Sequence, residues 1–165
     1  MTERTRTVTW KDPKAAAQAG RQMAGADYLR AMSDGTLPAP PALLTLGAQM
    51  GTIEHGRVTM ALEPGEHHYN PLGTVHGGMI AILLDSVMGC AVHSTLPAGR
   101  GYTTLEFKMN FLRPVNDRTG LMTAAGNVVH AGRQSAVAEG RLTDAQGKLY
   151  ATASTTCLVF DVPPG

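Results

Sequence analysis

Hydrophobic and polar positions divide this chain into a helical first part and a strand-rich remainder. Ala19, Met23, Ala26 and Leu29 recur at helical spacing. Asp12 can cap a helix and Pro13 suits its first position, while Asp34-Gly35 reads as a stop. One helix over about 13–33 is therefore predicted. Pro38, Pro40 and Pro41 predict an extended connector, because proline cannot continue a helix. From Leu43 the pattern reads as strand. Residues 44–54 and 57–64 flank His55-Gly56, a hairpin signal. Val58, Met60 and Leu62 alternate with Thr59, Ala61 and Glu63, so one face of that strand is buried.

The segment Gly78 to Val92 is apolar except for polar or small positions and one carboxylate, Asp85. It predicts a helix over about 78–94, apolar nearly all round and so buried widely. In residues 102–115, Leu105, Phe107, Met109 and Phe111 alternate with Thr104, Glu106, Lys108 and Asn110. That alternation puts Thr103 on the face of Leu105 and Phe107. Strands over 119–130, 134–143 and 148–160 follow, punctuated by Ala131-Gly132 and Asp144–Gly147. Antiparallel strands joined by short turns, with one wide-buried helix between them, predict a curved sheet wrapped round that helix.

Composition narrows the class. The 165 residues suit one core, and 43% hydrophobic with 16% charged residues is globular composition. A formal net charge of +1 without a basic run argues against nucleic acid or an anionic membrane as the main partner. Two cysteines, Cys90 and Cys157, form no disulfide framework and no metal-type spacing, which favours a reduced intracellular compartment. Residues 1–14 lack the apolar core of a signal peptide, and the longest apolar run is short of the roughly 20 residues that span a bilayer. A cytoplasmic location is the expectation.

Asp85 poses the chemical question, since an ionised carboxylate away from water is costly without partners. It is either a satisfied buried acid or a general base or nucleophile in an apolar site. Ala81 and Gly89 leave room beside it. Gly77-Gly78 either shape a turn or present helix N-terminal amides to a substrate carbonyl. Asn70 before Pro71 is a usual turn former. His76 reads as a hydrogen-bonded support. His67-His68 lacks the partners for a metal site, and Cys90 with His93 at i+3 reads as structural rather than nucleophilic.

Asn70, Gly73, His76-Gly77-Gly78 and Asp85 together make N-x-x-G-x-x-H-G-G-x-x-x-x-x-x-D, with "NFLRPV" downstream. This composite resembles the hotdog-fold acyl-CoA thioesterases, in particular the phenylacetic-acid-degradation (PaaI-like) type, over roughly Leu43 to Phe160. The resemblance implies a hotdog domain at 42–163 behind an N-terminal arm at 1–41. It implies a homodimer, commonly a dimer of dimers making a homotetramer, with active sites at the subunit interface. The Gly77 amide of one subunit then polarises the thioester carbonyl near Asn70, and Asp85 of the facing subunit attacks it or activates water. An assisting hydroxyl on the next strand aligns with Thr104, against Thr103 from alternation. No metal or organic cofactor is implied.

Coenzyme A carries three phosphate groups, for which Arg113 and Arg133 are candidates. Met79, Ile82, Met88 and Met109 suggest an apolar pocket. The expected activity is hydrolysis of an acyl-CoA or aryl-CoA to free acid and coenzyme A. A hotdog dehydratase or hydratase and a non-catalytic acyl-CoA-binding domain are the alternatives.

Overall fold

The computed structural model describes residues 2–163. Three short helices come first: α1 (Pro13–Gly20), α2 (Gly25–Ser33) and α3 (Pro41–Leu46). Strands β1 (Gln49–Glu54) and β2 (Arg57–Leu62) lead to the long helix α4 (Gly77–His93). Strands β3 (Arg100–Phe111), β4 (Met122–Ala131), β5 (Ser135–Asp144) and β6 (Leu149–Asp161) complete the chain. All six strands form one antiparallel sheet in the order β1-β2-β4-β5-β6-β3.

The expected wrapping is present: α4 lies across β2, β3, β4 and β5. Leu83, Leu84, Val87, Met88, Ala91 and Val92 are sealed from solvent beneath it. The strands give inward positions to this core by alternation, as in Val58, Met60 and Leu62 of β2. A central glycine sets the depth of the contact. A Cβ on Gly126 of β4 would stand 2.4 Å from the Val87 carbonyl oxygen, so any side chain there would push the helix off the sheet.

Two sequence expectations fail near the N-terminus. The helix read over 13–33 is broken into α1 and α2 by a turn at 21–24. Gly20 and Gly25 flank the break, and glycine propagates a helix poorly. Gly25 is also committed elsewhere: its amide donates to the Leu96 carbonyl at 2.9 Å. A Cβ there would overlap the His93 carbonyl. The second failure is the strand start at Leu43, where α3 stands instead. Pro41 opens that helix and Gly47, in the left-handed region at φ 82°, closes it. Leu43 and Leu46, one turn apart, are both buried.

The third correction concerns β3. Its pairing with β6 slips between Thr104 and Glu106, so Leu105 is the extra residue of a bulge. Thr104 pairs with buried Cys157, and Phe107, Met109 and Phe111 pair with Thr155, Ala153 and Ala151. The inward face of β3 therefore reads Tyr102, Thr104, then Phe107, Met109 and Phe111. Thr103 and Leu105 point outward, and the uninterrupted alternation fails at one residue.

Candidate active site

The N-terminus of α4 is assembled by a turn of its own making. Asn70 organises it: its Oδ1 accepts from the Leu72 and Thr74 amides at 2.9 and 3.3 Å, and its Nδ2 donates to Thr74 Oγ1 at 3.1 Å. Gly73 holds a positive φ of 79° in that loop. The loop leads into His76, which caps the helix: His76 Nδ1 accepts from the Gly78 amide at 2.8 Å. Its own amide donates to the His68 carbonyl at 2.7 Å. The Gly77 amide is the next donor along, and it has no hydrogen-bond partner among the described residues.

A cleft of about 380 Å³ opens at this point, lined by Asn70, Gly77, Phe111 and Arg113 among others. Gly77 is the close approach. A Cβ there would come within 3.0 Å of the Phe111 ring, so a side chain would crowd the mouth in front of the amide. Arg113 stands at the rim, exposed, and donates to the Leu149 carbonyl. Arg133 lies at the other end of the sheet, where its carbonyl accepts from Arg100, which itself pairs with Asp161. Arg113 and Arg133 are separated by nearly the full length of β3, roughly 35 Å.

Asp85 stands elsewhere. It follows Gly77 by eight positions, about 12 Å along the helix axis. The Thr104 hydroxyl donates to its Oδ1 at 2.9 Å across the gap between β3 and α4. No second hydrogen bond reaches the carboxylate among the described residues, so Oδ2 is free to meet a ligand. Thr103, on the outer face opposite Leu158, has no access to it. The bulge at Leu105 turns Thr104, and not Thr103, toward Asp85. No glycine marks that bulge, so alternation alone points Thr103 inward.

Around the carboxylate the groups are protonated and weakly polar. Burial, and secondarily the Asp85 charge, push the Cys90 thiol up to about 12. Burial likewise holds the Tyr102 phenol well above its usual range, with Cys90, Cys157 and Asp85 adding to the effect. Neither group is an anion at neutral pH, and Cys90 cannot act as a thiolate nucleophile. Burial lowers the His93 pKa, which makes that ring a weaker base than a free imidazole. His68 is buried and fully engaged, its Nδ1 accepting from the Gly65 amide and its Nε2 meeting the Leu46 carbonyl at 2.7 Å. His67 is stacked on it at the surface. Of the apolar pocket candidates, Met79, Ile82 and Met109 lie on partly open positions. Met88 does not: it is sealed against β5, where Gly140 makes room for its thioether.

An open stripe runs down α4 through Ala81, Ile82, Asp85 and Ser86, beside an edge strand. Ile82 is 42% exposed, and on or just past β3 Phe107, Phe111 and Leu112 are 38%, 55% and 49% exposed. Apolar side chains in such a continuous band mark an interaction surface. No motif in the sequence marks Tyr102 or Phe111; their only signal is inward placement on β3, which the bulge conceals for Tyr102.

A model of the thioesterase superfamily matches residues 72–151 of the chain. The chain is 32% identical to a thioesterase-type, phenylacetic-acid-degradation-related protein of Ralstonia eutropha; the match covers 79% of this chain and 98% of that one, with a TM-score of 0.72. It is 27% identical over 115 residues to the 1,4-dihydroxy-2-naphthoyl-CoA hydrolase of Listeria monocytogenes, covering 70% of this chain and 92% of that protein. A Streptococcus mutans protein solved with acetyl-CoA aligns at a TM-score of 0.64 and 28% identity, covering 70% and 90% of the two chains. With its six-stranded antiparallel sheet wrapped round one long helix, the chain belongs to the thioesterase superfamily and has its hotdog fold.

Proposed function

We propose that this protein hydrolyses an acyl-CoA or aryl-CoA thioester, with Asp85 of one protomer and the partner's Gly77 acting on the same carbonyl. The observation that carries this reading is the Thr104–Asp85 pair, a carboxylate anchored through one oxygen and open at the other. Reacting atoms must come within roughly 3–3.5 Å. Asp85 and Gly77 of one chain are about 12 Å apart along α4 and cannot meet on one substrate atom. A second copy resolves the distance. Pairing two β3 edges antiparallel would cover the exposed Phe107, Phe111 and Leu112 band and face two α4 stripes toward each other. It would also lay the Arg100 end of one strand beside the Phe111 end of the other. Arg133 would then approach the partner's Arg113 and its Gly77 cleft, where two guanidinium groups suit the phosphates of coenzyme A. The acetyl-CoA held by the Streptococcus mutans relative supports this ligand class.

The chemistry follows from these groups. The partner's Gly77 amide and helix N-terminus stabilise the oxyanion as the carbonyl becomes tetrahedral. Asp85 Oδ2 takes a proton from water while the water oxygen bonds to the carbonyl carbon. The carbon–sulfur bond then breaks, and the sulfur leaves with the proton that Asp85 acquired. Thr104 fixes the carboxylate's orientation throughout. Asn70 shapes the loop before Gly77, and His76 holds the second helical amide, so both support the donor without touching the carbonyl. Pairs of such dimers would make the homotetramer.

The test is thiol release from a panel of acyl-CoA and aryl-CoA substrates by purified protein, with an enoyl-CoA as control. Stoichiometric thiol and free acid are expected. Hydration of the enoyl-CoA without thiol release would replace this reading with a hydratase, and binding without turnover would replace it with an acyl-CoA sensor.

A further inference from the structure

Among the described residues the buried polar side chains are His68, Ser94 and Thr155. His68 braces the loop before α4. Ser94 ties the other end of that helix to β1 and β2: its Oγ donates to the Ala91 carbonyl at 2.7 Å and accepts from the Gly56 amide at 2.8 Å. Thr155 of β6 does neither. Its hydroxyl crosses to the edge strand β3 and donates to the Glu106 carbonyl at 2.7 Å. A valine of the same shape would fill this space with no polar group to satisfy. What the threonine adds is the donor.

The carbonyl that accepts it stands at the bulge. Cys157, Thr156 and Thr155 are consecutive on β6, and their partners on β3 are Thr104, Glu106 and Phe107, with Leu105 left over. A bulge disrupts the ladder locally, and the backbone groups beside it need other partners. The Thr155 hydroxyl supplies one. The Cys157 thiol reports the same grouping: burial pushes its pKa up, while the Thr155 and Thr104 hydroxyls beside it pull the other way. Thr155, Cys157 and Thr104 thus form one inward cluster, and Thr104 ends it at Asp85, 2.9 Å away. Straight alternation back from Phe107 would turn Leu105 and Thr103 inward and Thr104 outward. The bulge therefore aims Thr104, and the Thr155 bond is made at the bulge.

We propose that Thr155 is a positioning residue for the reaction: its bond to the Glu106 carbonyl holds the β3 bulge, and the bulge aims the Thr104 hydroxyl at Asp85. The proposal rests on the thioesterase reading and adds to it a residue that touches neither substrate nor carboxylate. Two bonds in series, Thr155 to Glu106 and Thr104 to Asp85, set which carboxylate oxygen is free to act. Strand β6 lies between β5 and β3 in the sheet, so this latch is complete within one chain.

The experiment is steady-state thiol release from an acyl-CoA that the wild type turns over, with kcat and KM resolved and thermal melting on each preparation. Thr155→Val keeps the shape and removes the donor, Thr155→Ala removes it with less bulk, and Thr155→Ser keeps it. In the first two, kcat should fall by roughly tenfold with KM near wild type, the signature of an interaction made in the transition state. Thr155→Ser should keep the wild-type kcat, as should Thr156→Val on the opposite face of β6. Adding Thr155→Val to Thr104→Val should cost no further kcat, because residues acting through one network are not additive. Losses that multiply in the double variant overturn the proposal. So does a wild-type kcat per folded molecule in Thr155→Val and Thr155→Ala, whatever their melting temperatures. A wild-type protein that releases no thiol from any acyl-CoA refutes the underlying activity instead, and this result is distinct from an active enzyme indifferent to Thr155.

Discussion

The Thr104 hydroxyl donates a 2.9 Å hydrogen bond to Oδ1 of Asp85, joining an edge strand to the central helix at the one carboxylate that helix carries. The bond fixes which oxygen is held and which is free. Hydrogen bonds to charged groups contribute about 1.5–3 kcal/mol, which corresponds to roughly 10–100-fold in rate if the orientation is lost. Thr104→Val should lower kcat by that factor with the fold retained, whereas Thr104→Ser and Thr103→Val should stay within about threefold of wild type. Steady-state thiol release on the four proteins checks this; equal losses for Thr103→Val and Thr104→Val would contradict the bulged register.

At the other end of the helix, Gly77→Ala should crowd Phe111 and Gly77→Val should block the approach to the amide. Removing one oxyanion donor typically costs about 10²–10³ in kcat. Gly77→Val should reach that range with Gly77→Ala between it and wild type, because the Phe111 ring can swing aside from a methyl group. Thermal melting alongside the assay separates this from unfolding. An unimpaired Gly77→Val enzyme places carbonyl polarisation elsewhere.

Much of this arrangement was legible in the chain. The alternation of Val58, Met60 and Leu62 identified an inward strand face, and the apolar run around Asp85 identified a helix that had to be wrapped. The features that escaped are those set by partners distant in sequence. The bulge at Leu105 carries no glycine and is imposed by the register with β6. The break between α1 and α2 depends on Gly25 docking against the far end of α4. The strand reading at Leu43 overrode a proline at a helix start and a glycine at its end, signals that α3 obeys. A stack of Tyr28, His93 and Tyr102 was invisible for the same reason, since these rings meet only once α2 is docked.

The open band of Ile82, Phe107, Phe111 and Leu112 predicts self-association. Light scattering should give a mass of at least twice the 17.4 kDa chain. Ile82→Asp combined with Phe107→Asp should shift the protein toward monomer and abolish thiol release, while circular dichroism remains that of a folded chain. Full activity in a monomer of one chain mass would contradict a site shared between subunits.

The thiol at Cys90 predicts an alkaline dependence of stability. Its pKa rises from 9.0 to about 12 on folding, chiefly through burial. The folded state then binds more protons than the unfolded state between these values, so the contribution is complete below about pH 9 and is lost as pH rises toward 12. Denaturant melts should show stability falling across that window more steeply in wild type than in Cys90→Ala. Activity near neutral pH should survive Cys90→Ala, and an alkylating agent should leave the folded thiol unmodified at pH 8. Rapid loss of activity on alkylation of Cys90 would contradict its neutral, enclosed state.

The role of Asp85 is tested most directly by Asp85→Asn, assayed for thiol release and thermal melting on the same preparation. Asparagine has nearly the same size and still accepts from Thr104, but it supplies no anion to water or carbonyl. A base or nucleophile predicts kcat lower by a factor on the order of 10² or more, with the oligomer and acyl-CoA binding intact. A merely structural acid predicts the reverse: turnover per folded molecule preserved, and stability altered by about 1–3 kcal/mol from a disturbed buried hydrogen bond. A stable, fully active Asp85→Asn enzyme would contradict the mechanism.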